Sequence, residues 1–191
     1  MSKKYVEDTV YKGSSFADRG QLADEYDGCT FINCVFSNCE LSDVYFTNCE
    51  FDNCDLSMAK LNNTAFRDVK FKNCKLLGLH FDDCNNFLLS FTFEDCVLNF
   101  SSFYKLKLKN LYFKNCTLEE VEFVESDLTN STFANCNLVG TVFENTILEK
   151  ADLRTSYNYS INPETNRIKK AKFSIQGIVG LLDAYDIEIE V

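Results

Sequence analysis

The chain has 191 residues, 46% hydrophobic and 25% charged, with a formal net charge of −10. That length and balance describe one soluble globular domain able to bury a sizeable core, and exclude an intrinsically disordered chain. A single histidine and seven glycines beside 18 Phe, 9 Tyr and 10 Cys make most familiar catalytic sites hard to build, and the acidity opposes nonspecific contact with nucleic acid or anionic membranes.

Residues 1–10 (MSKKYVEDTV) contain no apolar stretch resembling a signal peptide, and no apolar run is long enough to span a bilayer. A cytoplasmic protein without membrane attachment is expected, and its cysteines are expected to be thiols rather than disulfides. Residues 1–28 keep only Tyr11, Phe16 and Tyr26 in the frame described next, and are predicted to form an N-terminal cap.

From Phe31 every fifth residue is Phe or Leu: Phe36, Leu41, Phe46, Phe51, Leu56, Leu61, Phe66, Phe71, Leu76 and Phe81. After a slip of two the frame resumes at Leu88 and runs through Phe93, Leu98, Phe103, Leu108 and on to Leu153. A helix needs apolar residues at a spacing of 3.6 and a strand at 2, so a period of five means a chain that turns every pentad. Two residues before the central Phe or Leu there is usually a small residue or thiol, and two after it often Asn or Asp, which tolerate the backbone angles of corners. The segments FINC, FDNC, FKNC, FEDC, FKNC and FANC, beginning at Phe31, Phe51, Phe71, Phe93, Phe113 and Phe133, recur at intervals of 20, 20, 22, 20 and 20. Four pentads therefore make one coil, with a two-residue bulge near 82–87.

Stacking such coils lays each side chain over its equivalent one coil away, at about 4.8 Å. All ten cysteines fall at inward positions, although Cys84 lies within the slip. Parallel stacking disfavours disulfide geometry, and without C-x-x-C spacing there is no zinc motif, so free thiols and no metal or cofactor are expected. Asn33, Asn53, Asn73, Asp95, Asn115 and Asn135 form a corner ladder with a structural role.

After Leu153, Asn162-Pro163 marks a turn and Phe173 closes an irregular last coil. Ser174 can cap a short helix with Ile175, Ile178, Val179 and Leu182 on one face, and Ile187, Ile189 and Val191 alternate with Glu188 and Glu190 as a terminal strand. With Leu181 and Tyr185 these residues make an apolar surface, and the segment 174–191 is read as capping and homodimerising.

From Cys29 to Phe173 the chain resembles the pentapeptide-repeat family, whose unit places a small residue, then Asp or Asn, before a central Leu or Phe. The position before the central residue departs from Asp or Asn at Glu40, Tyr45, Lys60 and Lys107, where the side chain points outward. The resemblance implies an all-β fold, a right-handed quadrilateral parallel β-helix of about seven coils over 29–173, with a short C-terminal helix and strand. The tail, with Ala171-Lys172-Phe173, Gln176, Leu181-Leu182 and Ile187-Glu188-Ile189, and the segment from Cys54 to Ala59 are similar to the Qnr and MfpA subgroup. That likeness implies a rod-shaped dimer imitating duplex DNA, acting on DNA gyrase and topoisomerase IV, with quinolone resistance as the outcome. Qnr proteins of Gram-negative bacteria carry projecting loops where this chain has only a bulge, which implies gyrase binding with weak drug protection.

Sorted by the 20-residue period, Glu40, Asp43, Asp82, Asp83, Glu122, Glu125 and Glu144 share one side with Lys60 and Lys105, and Glu119 and Glu120 adjoin it. This acidic face is the candidate partner-binding surface for a type II topoisomerase. The side carrying Arg67, Lys107, Lys109 and Lys150 is mixed to basic. Net charge reaches about half the density of a duplex of equal length, at one phosphate per ~1.7 Å. The alternative reading is a generic interaction scaffold with another partner. An enzyme is not expected: His80 points outward with no nucleophile beside it, and no phosphate-binding glycine motif occurs.

Overall fold

The five-residue frame closes into a square. In the computed structural model, which describes residues 4–17 and 22–190, the chain winds as a parallel β-helix whose successive coils pair residue i with i+20. Crossovers between parallel strands of one sheet are right-handed, which sets the hand of the spiral. Along one face the rungs are Val10, Thr30, Glu50, Lys70, Thr92, Tyr112, Thr132, Asp152 and Lys172, nine in all. Eight steps of ~4.8 Å give a rod about 38 Å long.

The first coil begins at Tyr5, where strand Tyr5–Glu7 pairs with Glu25–Asp27 and Val10–Lys12 pairs with Thr30–Ile32. The segment expected as a cap is thus built as a coil of the same spiral. Sequence alone shows this poorly, because the first coil keeps only Tyr11 and Phe16 of the aromatic frame.

For reference, face 1 has the central residues Val6, Tyr26, Phe46 and Phe66, then Leu108, Leu128, Leu148 and Ile168. Face 2 runs from Tyr11 through Phe31 to Phe173, face 3 from Phe16 through Phe36 to Leu138, and face 4 from Leu41 through Phe81 to Phe143. Their side chains fill the interior as ladders. On face 2 the rings of Phe31, Phe51, Phe71, Phe93, Phe113 and Phe133 stack at 4.7 to 5.4 Å, while rings on neighbouring faces meet edge-on, as Phe113 and Phe123 do at 6.0 Å. Both arrangements suit the aromatic quadrupole.

The second inward position of many pentads is a donor slot. The thiols of Cys54, Cys74 and Cys96 donate to the carbonyls of Phe31, Phe51 and Phe71 at 3.3 to 3.4 Å. The hydroxyls of Thr64, Thr146 and Ser156 do the same toward Leu41, Phe123 and Phe133 at 2.7 to 2.8 Å. Cysteine, serine and threonine are small donors doing one job. All ten cysteines are buried and free, and burial pushes the Cys49 thiol up to about 12 and raises Cys84 too. These two thiols are therefore poor nucleophiles at neutral pH.

Corners carry the backbone strain. Two residues after the central position, φ lies between +46° and +67° along the rod, mostly at Asn, Asp or Gly. Met58, Phe100 and Lys105 hold the same left-handed conformation, which costs an ordinary side chain ~1–2 kcal/mol. Phe100 is exposed and its amide bond to the Glu119 carbonyl (2.9 Å) is independent of the side chain. Phe100→Asn is expected to raise stability by about 1 kcal/mol, read as a higher urea midpoint at unchanged slope; a lower midpoint refutes the corner argument.

The bulge is the point where the interior changes pattern. Before it, Phe rings occupy faces 1 and 2 (Phe46, Phe51, Phe66, Phe71); after it, faces 2 and 4 (Phe93, Phe103, Phe113, Phe123). A 3-10 turn at Phe81–Asp83 opens the bulge, and the extra ring, Phe91, turns inward to pack on Phe81 and Phe93 at 5.2 and 5.1 Å. Leu88, expected as an inward central residue, is instead exposed with a φ of +58°, and Leu89 packs against the core.

At the C-terminus the expected helix is two 3-10 turns, Gly177–Leu181 and Asp183–Tyr185, and residues 186–190 form neither helix nor strand in the single chain. Val191 lies outside the described residues. The glycines explain the tighter winding. A Cβ on Gly180 would sit 2.0 Å from the Tyr159 carbonyl oxygen, and one on Gly177 2.0 Å from the Tyr159 hydroxyl. Their absence lets the tail fold against the last coil, where the Ile161 amide donates to the Gly180 carbonyl at 2.8 Å.

Candidate functional site

Face 4 gathers the acidic residues picked from the period. Its outward ladder runs in two bridged groups, Glu40 and Lys60, then His80, Ser102, Glu122 and Val142, with the bulge between His80 and Ser102. The neighbouring outward columns carry Asp82, Glu144, Asp43, Asp83 and Glu125, and Glu119 and Glu120 turn the corner from face 3. Pairing at 20 residues, and 22 across the bulge, is what brings together carboxylates about a hundred residues apart.

Several of these groups have local partners. Lys60 lies 3.7 Å from Glu40 and Lys105 3.5 Å from Glu125, while the Asn63 amide donates to Asp43 (2.7 Å), Asn99 to Glu119 (3.0 Å) and Ser102 to Glu122 (3.1 Å). These exposed ion pairs contribute little to stability. Nine carboxylates against two lysines leave a clear negative excess on this face. Five rung spacings from Glu40 to Glu144 cover about 24 Å, over which a duplex presents ~14 phosphates, so the face carries about half that density.

The apolar tail residues are placed at one end of the rod. Ile175, Ile178, Val179, Tyr185, Ile187 and Ile189 are exposed, Ile175 at 86%, whereas Leu181 and Leu182 are half-buried and Leu181 packs on the core. The Tyr185 hydroxyl donates to Glu164 (3.0 Å) and pins the turn to the last coil. These exposed aliphatic side chains lie together on one short segment. Sequence reading missed a second exposed set on face 3 and its corner, including Val35, Met58, Phe100 and Val139, because outward positions were scanned only for charge.

His80 stands on the outer surface, its Nδ1 3.6 Å from Asp82. Among the described residues no group of His, Cys, Asp and Glu is placed to hold a metal ion, and no helix is long and apolar enough to cross a membrane.

The model of the pentapeptide repeat region matches residues 25–103, 44–123 and 88–173. Two solved structures similar to the chain are full-length QnrB1, a plasmid-mediated fluoroquinolone resistance protein, and a trypsin-treated variant of it. Each is 18% identical over 96% of this chain, covering 100% and 99% of the other, with TM-scores of 0.56 and 0.55. At that identity the likeness concerns the fold. Among curated proteins none is significantly similar.

Proposed function

Because the chain belongs to the pentapeptide-repeat family, we propose that it is a non-enzymatic, cytoplasmic rod that binds a type II topoisomerase, DNA gyrase or topoisomerase IV, in place of DNA. The observation that carries this reading is the excess of carboxylates over lysines on face 4, spread over neighbouring outward columns along the rod. A rigid acidic rod suits a basic groove shaped for duplex: the carboxylates are held in place before binding, so little ordering entropy opposes association, and complementary charge speeds encounter. The same acidity opposes direct binding to nucleic acid. The exposed apolar tail at one end would join two copies as a homodimer, lengthening the rod beyond one chain's ~38 Å.

The fold-mate QnrB1 is described as a fluoroquinolone resistance protein, and quinolone protection is the outcome proposed here too. The shortness of the bulge argues that protection is weaker than inhibition. In a supercoiling assay with purified gyrase, with and without a quinolone, the protein is expected to inhibit the enzyme or rescue it from the drug. Combining Asp83→Lys, Glu122→Lys and Glu144→Lys should weaken this by at least about tenfold, and added salt should weaken it further. No effect at micromolar protein would favour a scaffold for another partner, a reading to which the half-duplex charge density lends weight.

A further inference from the structure

The geometry points to a second docking surface, on face 1 at the bulge, that accepts an extended acidic peptide segment as an added strand. The next rung on this face is paired on both sides: the Asp127 amide donates to the Leu106 carbonyl (2.8 Å) and the Asp127 carbonyl accepts from Leu108 (2.8 Å) on one side, and the Leu128 amide donates to the Ile147 carbonyl (2.8 Å) on the other. Lys107 is bridged to Asp127 on its C-terminal side and to no residue of the bulge. Among the described residues, neither its amide nor its carbonyl has a partner toward the bulge. The Lys109 carbonyl is also without one, because the Ser90 amide that register would offer it donates to Phe66 instead (2.9 Å). The two extra residues therefore leave an open strand edge on face 1 in the middle of the rod.

Space and charge at that edge are suited to a ligand. A cavity of about 270 Å³ lies between Asn86 and Leu89 of the bulge and Lys105, Leu106 and Lys107, and a second of about 140 Å³ continues it past Ser90 and Thr92 to Lys109. Lys105-Leu106-Lys107-Leu108-Lys109 alternates, with both leucines buried and all three lysines exposed. Lys105 and Lys109 reach Glu125 (3.5 Å) and Asp127 (3.4 Å), while Lys107 has no ion-pair partner among the described residues. The Arg67 guanidinium, 5.6 Å over the Phe87 ring, adds a fourth cation beside the gap. An extended segment with alternating carboxylates would satisfy the Lys107 amide and carbonyl through its backbone and the lysines through its side chains. This surface borders the acidic face, with Lys105 at the shared corner, and does not rest on the topoisomerase reading.

The test is fluorescence anisotropy with a labelled peptide of alternating glutamate and threonine. Saturable binding that weakens with salt is expected, with at least a tenfold loss in the Lys107→Glu, Lys109→Glu double variant, whose fold is checked by circular dichroism. The same peptide N-methylated at alternate residues keeps its charge and should bind at least tenfold more weakly; equal binding overturns the added strand. No binding at millimolar peptide, equal binding by the double variant, or preference for single-stranded DNA each overturns the proposal. So does a Lys107→Thr variant that self-associates while binding peptide unchanged, since the lysine would then only guard the edge.

Discussion

Phe113→Ala is expected to cost about 3–5 kcal/mol and to break the rod's unfolding into two steps. The ring is sandwiched between Phe93 and Phe133, at 5.1 Å on each side, and meets Phe103 and Phe123 edge-on at 6.1 and 6.0 Å. Truncation leaves a cavity walled by four aromatics, each fixed by its own ladder, so collapse cannot fill it. Each coil touches only its neighbours, and a weak interface mid-rod uncouples the two halves. Phe143→Ala removes the same atoms where the ring stacks on Phe123 alone (5.4 Å) and touches Phe133 edge-on. It should cost about 1–2 kcal/mol less. Urea unfolding followed by circular dichroism reads both. Equal losses at the two sites, or a single sharp transition for Phe113→Ala, would show that ladder continuity is not what holds the rod.

The coil was legible because its core obeys one rule at every fifth residue. Period and register followed from Phe31 to Phe81, and the small inward position and the corners from the residue types beside them; that the small position donates hydrogen bonds to carbonyls came from the structure. The bulge was less legible for a physical reason. Phe87, Leu88, Leu89 and Phe91 are all apolar, so the slip could be placed at several points, and only packing shows that Phe91 enters while Leu88 stays outside. The switch of aromatic rings from face 1 to face 4 was written in the alternation of Phe and Leu, but pooling the two residues as one class hid it. The period assigns outward side chains to faces, which is how the carboxylates of the acidic side could be sorted from the sequence. What those carboxylates bind is not encoded in the period, and neither is the open edge at Lys107, which arises from two residues that break it.

The tail shows how an apolar spacing can mislead about winding and still be right about surface. Ile175, Ile178, Val179 and Leu182 suit an α-helix, yet Gly177 and Gly180 weaken one and allow an approach to Tyr159 that no other residue permits. Gly180→Ala is expected to lift the tail from the last coil and weaken homodimerisation by at least tenfold. Its Cβ would meet main-chain atoms of Tyr159, the oxygen at 2.0 Å and the carbon at 3.1 Å, which cannot rotate away, and the Ile161 to Gly180 hydrogen bond would be lost. Gly177→Ala meets chiefly the far end of the Tyr159 side chain, which can swing aside, so its effect should be several-fold smaller. Because the tail only caps the rod, the main unfolding transition of both variants should stay close to that of the parent chain. Sedimentation over a range of concentrations measures the dimer constant. An unchanged constant for Gly180→Ala, with the tail shown to be displaced by faster proteolysis after Phe173, would remove this segment from the dimer and leave it a cap alone.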